Sequence, residues 1–227
     1  MRLKFIFLIL TGILSVQLYA TDYTSLTEAL KNPAAVKSLN LSGKGLTALS
    51  ESIGKLTNLE RLNLSSNKLT NLPKALYTLK KLKYLNLTGN LLTVIPSTIA
   101  NFKNLQELEI GFNKLSVLPK EIGLLNRLNR LVAAKNNLKS LPAEMGQLGM
   151  LEIVDLSYNL FPSLPLALTS IRSLKTLDMS FNKSLSSFPA EIKNLSSLRL
   201  LNFKNTQIAT KQVDDLTWLI PDCQIML

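Results

Sequence analysis

The sequence predicts an α/β repeat: a curved solenoid with a parallel sheet on its concave side, short helical or 3-10 turns on its convex side, and a cap at each end. Three observations carry this expectation. An apolar pattern recurs every 23 residues through most of the chain. Each period pairs a stretch of alternating leucines with a stretch whose leucines are three to four residues apart. An asparagine stands at one fixed place in six consecutive periods.

Leu59, Leu62, Leu64, Asn67 and Leu69 set the frame L-x-x-L-x-L-x-x-N-x-L. The frame opens at Val36, Leu59, Leu82, Leu105, Leu128, Leu151, Leu174 and Leu198, with spacings of 23 six times and then 24. The extra residue falls between Asn182 and Leu185. In L-x-x-L-x-L the period is two, so leucines point inward and the residues between them outward. One strand per repeat then stacks beside the next. The second half, with Leu72, Pro73, Leu76 and Leu79, returns the chain on the far side. Its spacing suits a short helical or 3-10 turn, and proline is tolerated where no ladder hydrogen bond is donated. Eight repeats are expected over 36–209. Ala133 replaces the third leucine of its repeat, which predicts a thinner core there.

Asn67, Asn90, Asn113, Asn136, Asn159 and Asn182 form the asparagine column. A carboxamide both donates and accepts, so a stacked column can satisfy backbone groups left unpaired at a tight bend. The column gives way to Lys44 at the first repeat and Thr206 at the last, as expected of repeats that close a stack. These asparagines are read as structural. Sequons such as Asn40 to Ser42 and Asn63 to Ser65 arise from the same repeat and carry little weight as glycosylation sites.

These motifs, from Val36 to Ile208, resemble the leucine-rich-repeat family. The second half, as in Leu118, Pro119, Ile122 and Leu125, resembles its L-P-x-x-I-x-x-L variant. Taken with the N-terminal segment, the chain is similar to small exported bacterial leucine-rich-repeat proteins, including those of pathogenic spirochaetes. The resemblance implies a curved solenoid that binds proteins, often on its concave sheet.

The N-terminal segment reads as a targeting signal. Arg2 and Lys4 precede an apolar run from Phe5 to Leu18, and Tyr19 and Ala20 lead into polar Thr21 and Asp22. That layout predicts a secretory signal peptide over 1–20, too short in its apolar core for a bilayer span of about 20 residues. The expected mature protein is exported: secreted, periplasmic or cell-surface associated, without stable membrane insertion. A short N-terminal cap over 21–35 should contain a helix near Thr24 to Leu30. The C-terminal cap over 210–227 should contain a helix from Thr210 to Ile220, stopped by Pro221, and a last partial strand from Asp222 to Leu227. Trp218 is expected to cover the core end.

Composition narrows the chemistry. Histidine is absent and Cys223 is the single cysteine, so an intrachain disulfide is impossible and most nucleophile–base pairs and metal sites lack their usual residues. No enzyme, cofactor or metal site is expected. The net charge is +11, or +9 without residues 1–20, yet outward strand positions mix bases with acids. Nucleic acid is therefore not expected as a partner. The Glu107/Glu109 and Asp155/Asp178 pairs suggest at most an adventitious cation site. Apolar residues crowd the outward positions of the C-terminal half: Phe112, Val132, Ile153, Tyr158, Phe181 and Leu200. They form the candidate binding surface for a protein partner, since exposed apolar patches and aromatics mark interfaces. The alternative is a glycan or cell-surface adhesion module using the basic outer surface.

Overall fold

The computed structural model describes residues 22–227; the expected signal segment lies outside the described residues. Among these residues, ten parallel strands form one open curved sheet in strict sequence order. They are β1 (Asp22–Tyr23), β2 (Ser38–Asn40), β3 (Arg61–Asn63), β4 (Tyr84–Asn86), β5 (Glu107–Glu109), β6 (Arg130–Val132), β7 (Ile153–Asp155), β8 (Thr176–Asp178), β9 (Leu200–Asn202) and β10 (Gln224–Met226). The register follows the 23-residue spacing: Leu62 lies beside Leu85, Leu85 beside Leu108 and Leu108 beside Leu131. The 24-residue step appears in the pairing of Leu177 with Leu201. Its extra residue is absorbed in a turn closed by the Leu185 amide donating to the Asn182 carbonyl.

The return segments are 3-10 turns, such as Lys74–Thr78 and Lys120–Leu124. Proline precedes six of them, beginning with Pro73 at φ −67°, where its fixed φ suits the entry. Its carbonyl still accepts: the Leu76 amide donates to Pro73 at 3.1 Å. The 3-10 turns occupy the convex side, and the leucines of both half-repeats meet in one continuous core. Ala133 is sealed in this core despite its small side chain.

Asparagine fastens each bend. Asn113 Nδ2 donates to the carbonyls of Leu87, Ile110 and Gly111 at 3.0, 3.1 and 3.0 Å, while its Oδ1 accepts from the Leu92 amide at 3.0 Å. One side chain thus stitches two repeats, satisfying groups that water cannot reach. At the last repeat Thr206 does part of this work, its hydroxyl donating to Phe203 O at 2.7 Å.

At the N-terminus the helix is shorter than the sequence suggests, Leu26–Ala29, with the Ser25 hydroxyl accepting from the Glu28 amide. The short strand Asp22–Tyr23 ahead of it was not expected from the sequence. At the other end the helix spans Thr210–Leu219, and Gln224–Met226 pairs with β9. Trp218 corrects the expectation: it is 88% exposed. Helical residues advance about 100° each, so Trp218 lies about 200° from buried Leu216, while Val213 and Leu219 pack on the core. Cys223 is partly buried, and burial pushes its thiol up to about 11, leaving it protonated at neutral pH.

Candidate functional site

The concave face is built from strand residues that point away from the core and from the bend that follows each strand. The last strand position commonly carries Asn or Asp for a local reason. Asn63 Oδ1 accepts from the Ser65 amide at 2.9 Å, Asn86 from Thr88 at 2.8 Å and Asp178 from Ser180 at 2.8 Å. These are turns closed by a side chain onto the backbone two residues on. Asp155 does the same with Ser157, accepting from both its amide and its hydroxyl. Asp178 also accepts from Asn202 Nδ2 at 3.0 Å. The Asp155/Asp178 carboxylates are thus engaged in holding bends. Burial raises the Asp155 carboxyl above its ordinary range, opposed by the bonds from Ser157, with Asp178 adding to the rise. Among the described residues no group of three or more His, Cys, Asp or Glu is placed to hold a metal ion.

The next bend residue but two, immediately before the asparagine column, has left-handed backbone in every repeat. Gly43 and Gly89 fill it with φ +66° and +70°, which cost glycine little. In the C-terminal half the same position holds Phe112 (φ +54°), Lys135 (+53°), Tyr158 (+55°) and Phe181 (+58°). A bulky L-residue there costs about 1–2 kcal/mol. Four successive repeats accept that cost, and their side chains form one stripe. The Lys135 ammonium lies 4.4 Å from the Phe112 ring centroid and 4.9 Å from that of Tyr158. Tyr158 and Phe181 stack at 4.0 Å with planes 7° apart. Phe112 is 52% exposed and Tyr158 42%, while Phe181 is half-buried. Cation–π and stacking contacts contribute roughly 0.5–1.5 kcal/mol each, enough to offset part of the backbone cost.

The six apolar positions singled out in the sequence therefore divide. Phe112, Tyr158 and Phe181 belong to the stripe. Val132 and Ile153 are half-buried on the neighbouring strands, at strand rather than bend positions. Leu200 is only 7% exposed and offers little surface. Lys135 is the member that the search for apolar residues missed. Its place 23 residues from both Phe112 and Tyr158 was the available signal.

The N-terminal half is arranged differently. Arg61 lies 4.2 Å over the Tyr84 ring, and Asn86 Nδ2 donates to the Tyr84 hydroxyl at 3.0 Å and to Glu109 Oε2 at 2.7 Å. Glu109 Oε1 is 3.7 Å from Arg130 Nε, an ion pair too long for a hydrogen bond. Burial raises the Glu109 carboxyl above its ordinary range, and the Arg130 charge only partly opposes this.

Comparison with known proteins agrees with this geometry. The leucine-rich repeat region model matches residues 13–113, and the single leucine-rich repeat model matches 173–195. No curated protein matches the chain. A leucine-rich-repeat protein of Leptospira interrogans is 37% identical, with TM-score 0.75 over 91% of this chain and 58% of that one. The plant peptide hormone receptor RGFR1, in complex with RGF2, is 30% identical, with TM-score 0.69 over 86% of this chain and 33% of the receptor. An internalin of Listeria monocytogenes shares the fold at 20% identity, with TM-score 0.75 over 92% of this chain and 59% of the internalin. The chain thus spans less than two thirds of the length of each of these three. Repeat register, asparagine column and these matches agree: the chain belongs to the leucine-rich-repeat family and resembles a Leptospira protein of that family.

Proposed function

We propose that this protein is an exported, non-catalytic scaffold that binds a protein, of the host or of the cell envelope, through the C-terminal half of its concave face. The observation that carries the reading is the stripe of Phe112, Lys135, Tyr158 and Phe181. Bulky side chains stand at four successive left-handed positions, two of which are well exposed aromatics. Backbone strain of this kind concentrates at ligand-contacting sites, and aromatics on a concave sheet supply rigid contact area. The family is typically one of protein-binding scaffolds, and the receptor RGFR1 is itself seen in complex with RGF2. Val132 and Ile153 flank the stripe and extend the surface.

The test is affinity capture from host surface and serum proteins by the immobilised full chain and by a Tyr158→Ala/Phe181→Ala double variant. Loss of two central aromatics should weaken capture by at least about 30-fold, the effect of roughly 2 kcal/mol at an interface hot spot. A folded double variant that captures the same proteins equally well overturns the proposal. Binding that collapses between low and moderate salt favours instead the glycan adhesion reading on the basic outer surface.

A further inference from the structure

The convex side holds a cleft between the turns Lys74–Thr78 and Ser97–Asn101, beside a bulky residue at a turn position that three other repeats give to glycine. The fourth position of the turns Glu51–Lys55, Lys120–Leu124 and Ala143–Gln147 is glycine: Gly54, Gly123 and Gly146. The following turn packs tightly against each. A Cβ would meet Ala75 Cβ at 2.8 Å, the Glu144 carbonyl oxygen at 2.3 Å and Ser170 Cβ at 3.1 Å respectively. Tyr77 holds that fourth position in its own turn. Its ring is buried and stacks on Phe102 at 5.4 Å, with planes 29° apart. Beside it lies a cleft of about 450 Å³, lined by Leu72, Val94, Pro96 and Tyr77 itself. That volume is in the range of small-molecule sites.

We propose that this cleft binds an acyl carboxylate, a single-chain anionic amphiphile. The apolar walls fit the chain. Two further observations fit the head group. The Tyr77 hydroxyl is buried with no hydrogen-bond partner, a costly arrangement for a protein interior unless an acceptor arrives. Lys74 lines the same cleft, is exposed, and has no ion pair among the described residues. Residues three apart in a 3-10 turn eclipse one another, so Lys74 and Tyr77 leave the turn on one side. An ammonium and a phenolic donor together suit a carboxylate. The site lies on the face opposite the aromatic stripe and is independent of the protein-binding proposal.

Titration calorimetry of the full chain with dodecanoate, below its micelle concentration, tests this. Saturable one-to-one binding is expected. Tyr77→Phe should weaken it about tenfold, by loss of one hydrogen bond to a charged group. Val94→Glu should abolish it, because a carboxylate would stand in the apolar wall. Val94 is 55% exposed, so this variant keeps its fold. Val117→Glu, equally exposed one repeat further on, should bind as wild type does. Dodecyltrimethylammonium should bind at least tenfold more weakly. The proposal is overturned if dodecanoate gives no saturable heat, if Val94→Glu binds unchanged, or if the cationic analogue binds equally well.

Discussion

The two halves of the concave face solve the same structural problem with opposite chemistry. Both present residues that the core does not need, over one sheet of constant register. In the N-terminal half these residues turn their polar groups on one another: Arg61 covers Tyr84, Asn86 bridges Tyr84 and Glu109, and Glu109 faces Arg130. The one acceptor of this group left without a hydrogen bond among the described residues, Glu109 Oε1, is buried and out of a partner's reach. In the C-terminal half the stripe from Phe112 to Phe181 stacks face on along the solenoid, yet Phe112 and Tyr158 keep much of their ring surface open to water. The left-handed bend sharpens the contrast. Gly89 takes it without strain, whereas Phe112, Lys135, Tyr158 and Phe181 take it at a cost. Stability alone would place glycine or asparagine in all of them, as Gly43 and Asn205 show.

The largest expected effect comes from cutting the link between the halves. Asn136 Nδ2 donates to Ile110 O and Ala133 O at 3.0 and 3.1 Å, and its Oδ1 accepts from the Leu115 amide at 3.0 Å. Asn136→Leu leaves these buried groups unpaired and should cost about 3 kcal/mol or more. Stability in a solenoid is a sum of neighbour terms, so the loss should localise. Hydrogen exchange should show the repeats on the two sides of residue 136 opening separately. A single cooperative loss across all repeats would show the halves to be coupled by something other than the column.

A smaller effect should follow from carrying the stripe into the polar half. In Gly89→Phe the new Cβ meets nothing closer than the Ser66 amide nitrogen at 3.5 Å, an ordinary contact. The cost is then backbone alone, about 1 kcal/mol, offset in part by stacking against Phe112. Urea denaturation measures it. A loss above about 3 kcal/mol would mean that the bend at residue 89 differs from the one at Phe112.

The repeat itself was plain in the sequence because its causes are local and periodic. Inward leucines, the asparagine column and the prolines each serve a backbone need that recurs every 23 residues, and each landed where the period placed it. The stripe was half visible. Exposure of Phe112 and Tyr158 follows from their outward phase, but the left-handed bend and the insertion of Lys135 between two rings depend on side-chain geometry across repeats. A search for apolar residues passes over a lysine, although its long stem and charge suit it to lie between rings. Leu200 and Trp218 failed for a different reason. Both lie near the C-terminal end, where burial depends on how one irregular helix and one added strand settle on the stack. The cleft beside Tyr77 was invisible because it depends on how two neighbouring return turns pack, and a tyrosine in an apolar segment reads as ordinary core.

The smallest expected effect tests whether the polar half is satisfied at a cost of its own. The Glu109 carboxyl is held above its ordinary range by burial first, against the pull of Arg130. A carboxyl with a higher pKa in the folded than in the unfolded state binds its proton more tightly when folded. Its contribution to stability therefore falls as pH rises from the unfolded value through the folded one, and at neutral pH the charged group weakens the fold. Glu109→Gln keeps an oxygen to accept from Asn86 and removes the charge. The variant should melt slightly higher than wild type at pH 7. The difference should shrink on acidification and vanish at about pH 3, where Glu109 is protonated in both states. Melting curves at the two pH values decide the matter. If the variant melts lower at pH 7, the Arg130 ion pair outweighs burial, and the polar half is held together by its charges rather than in spite of them.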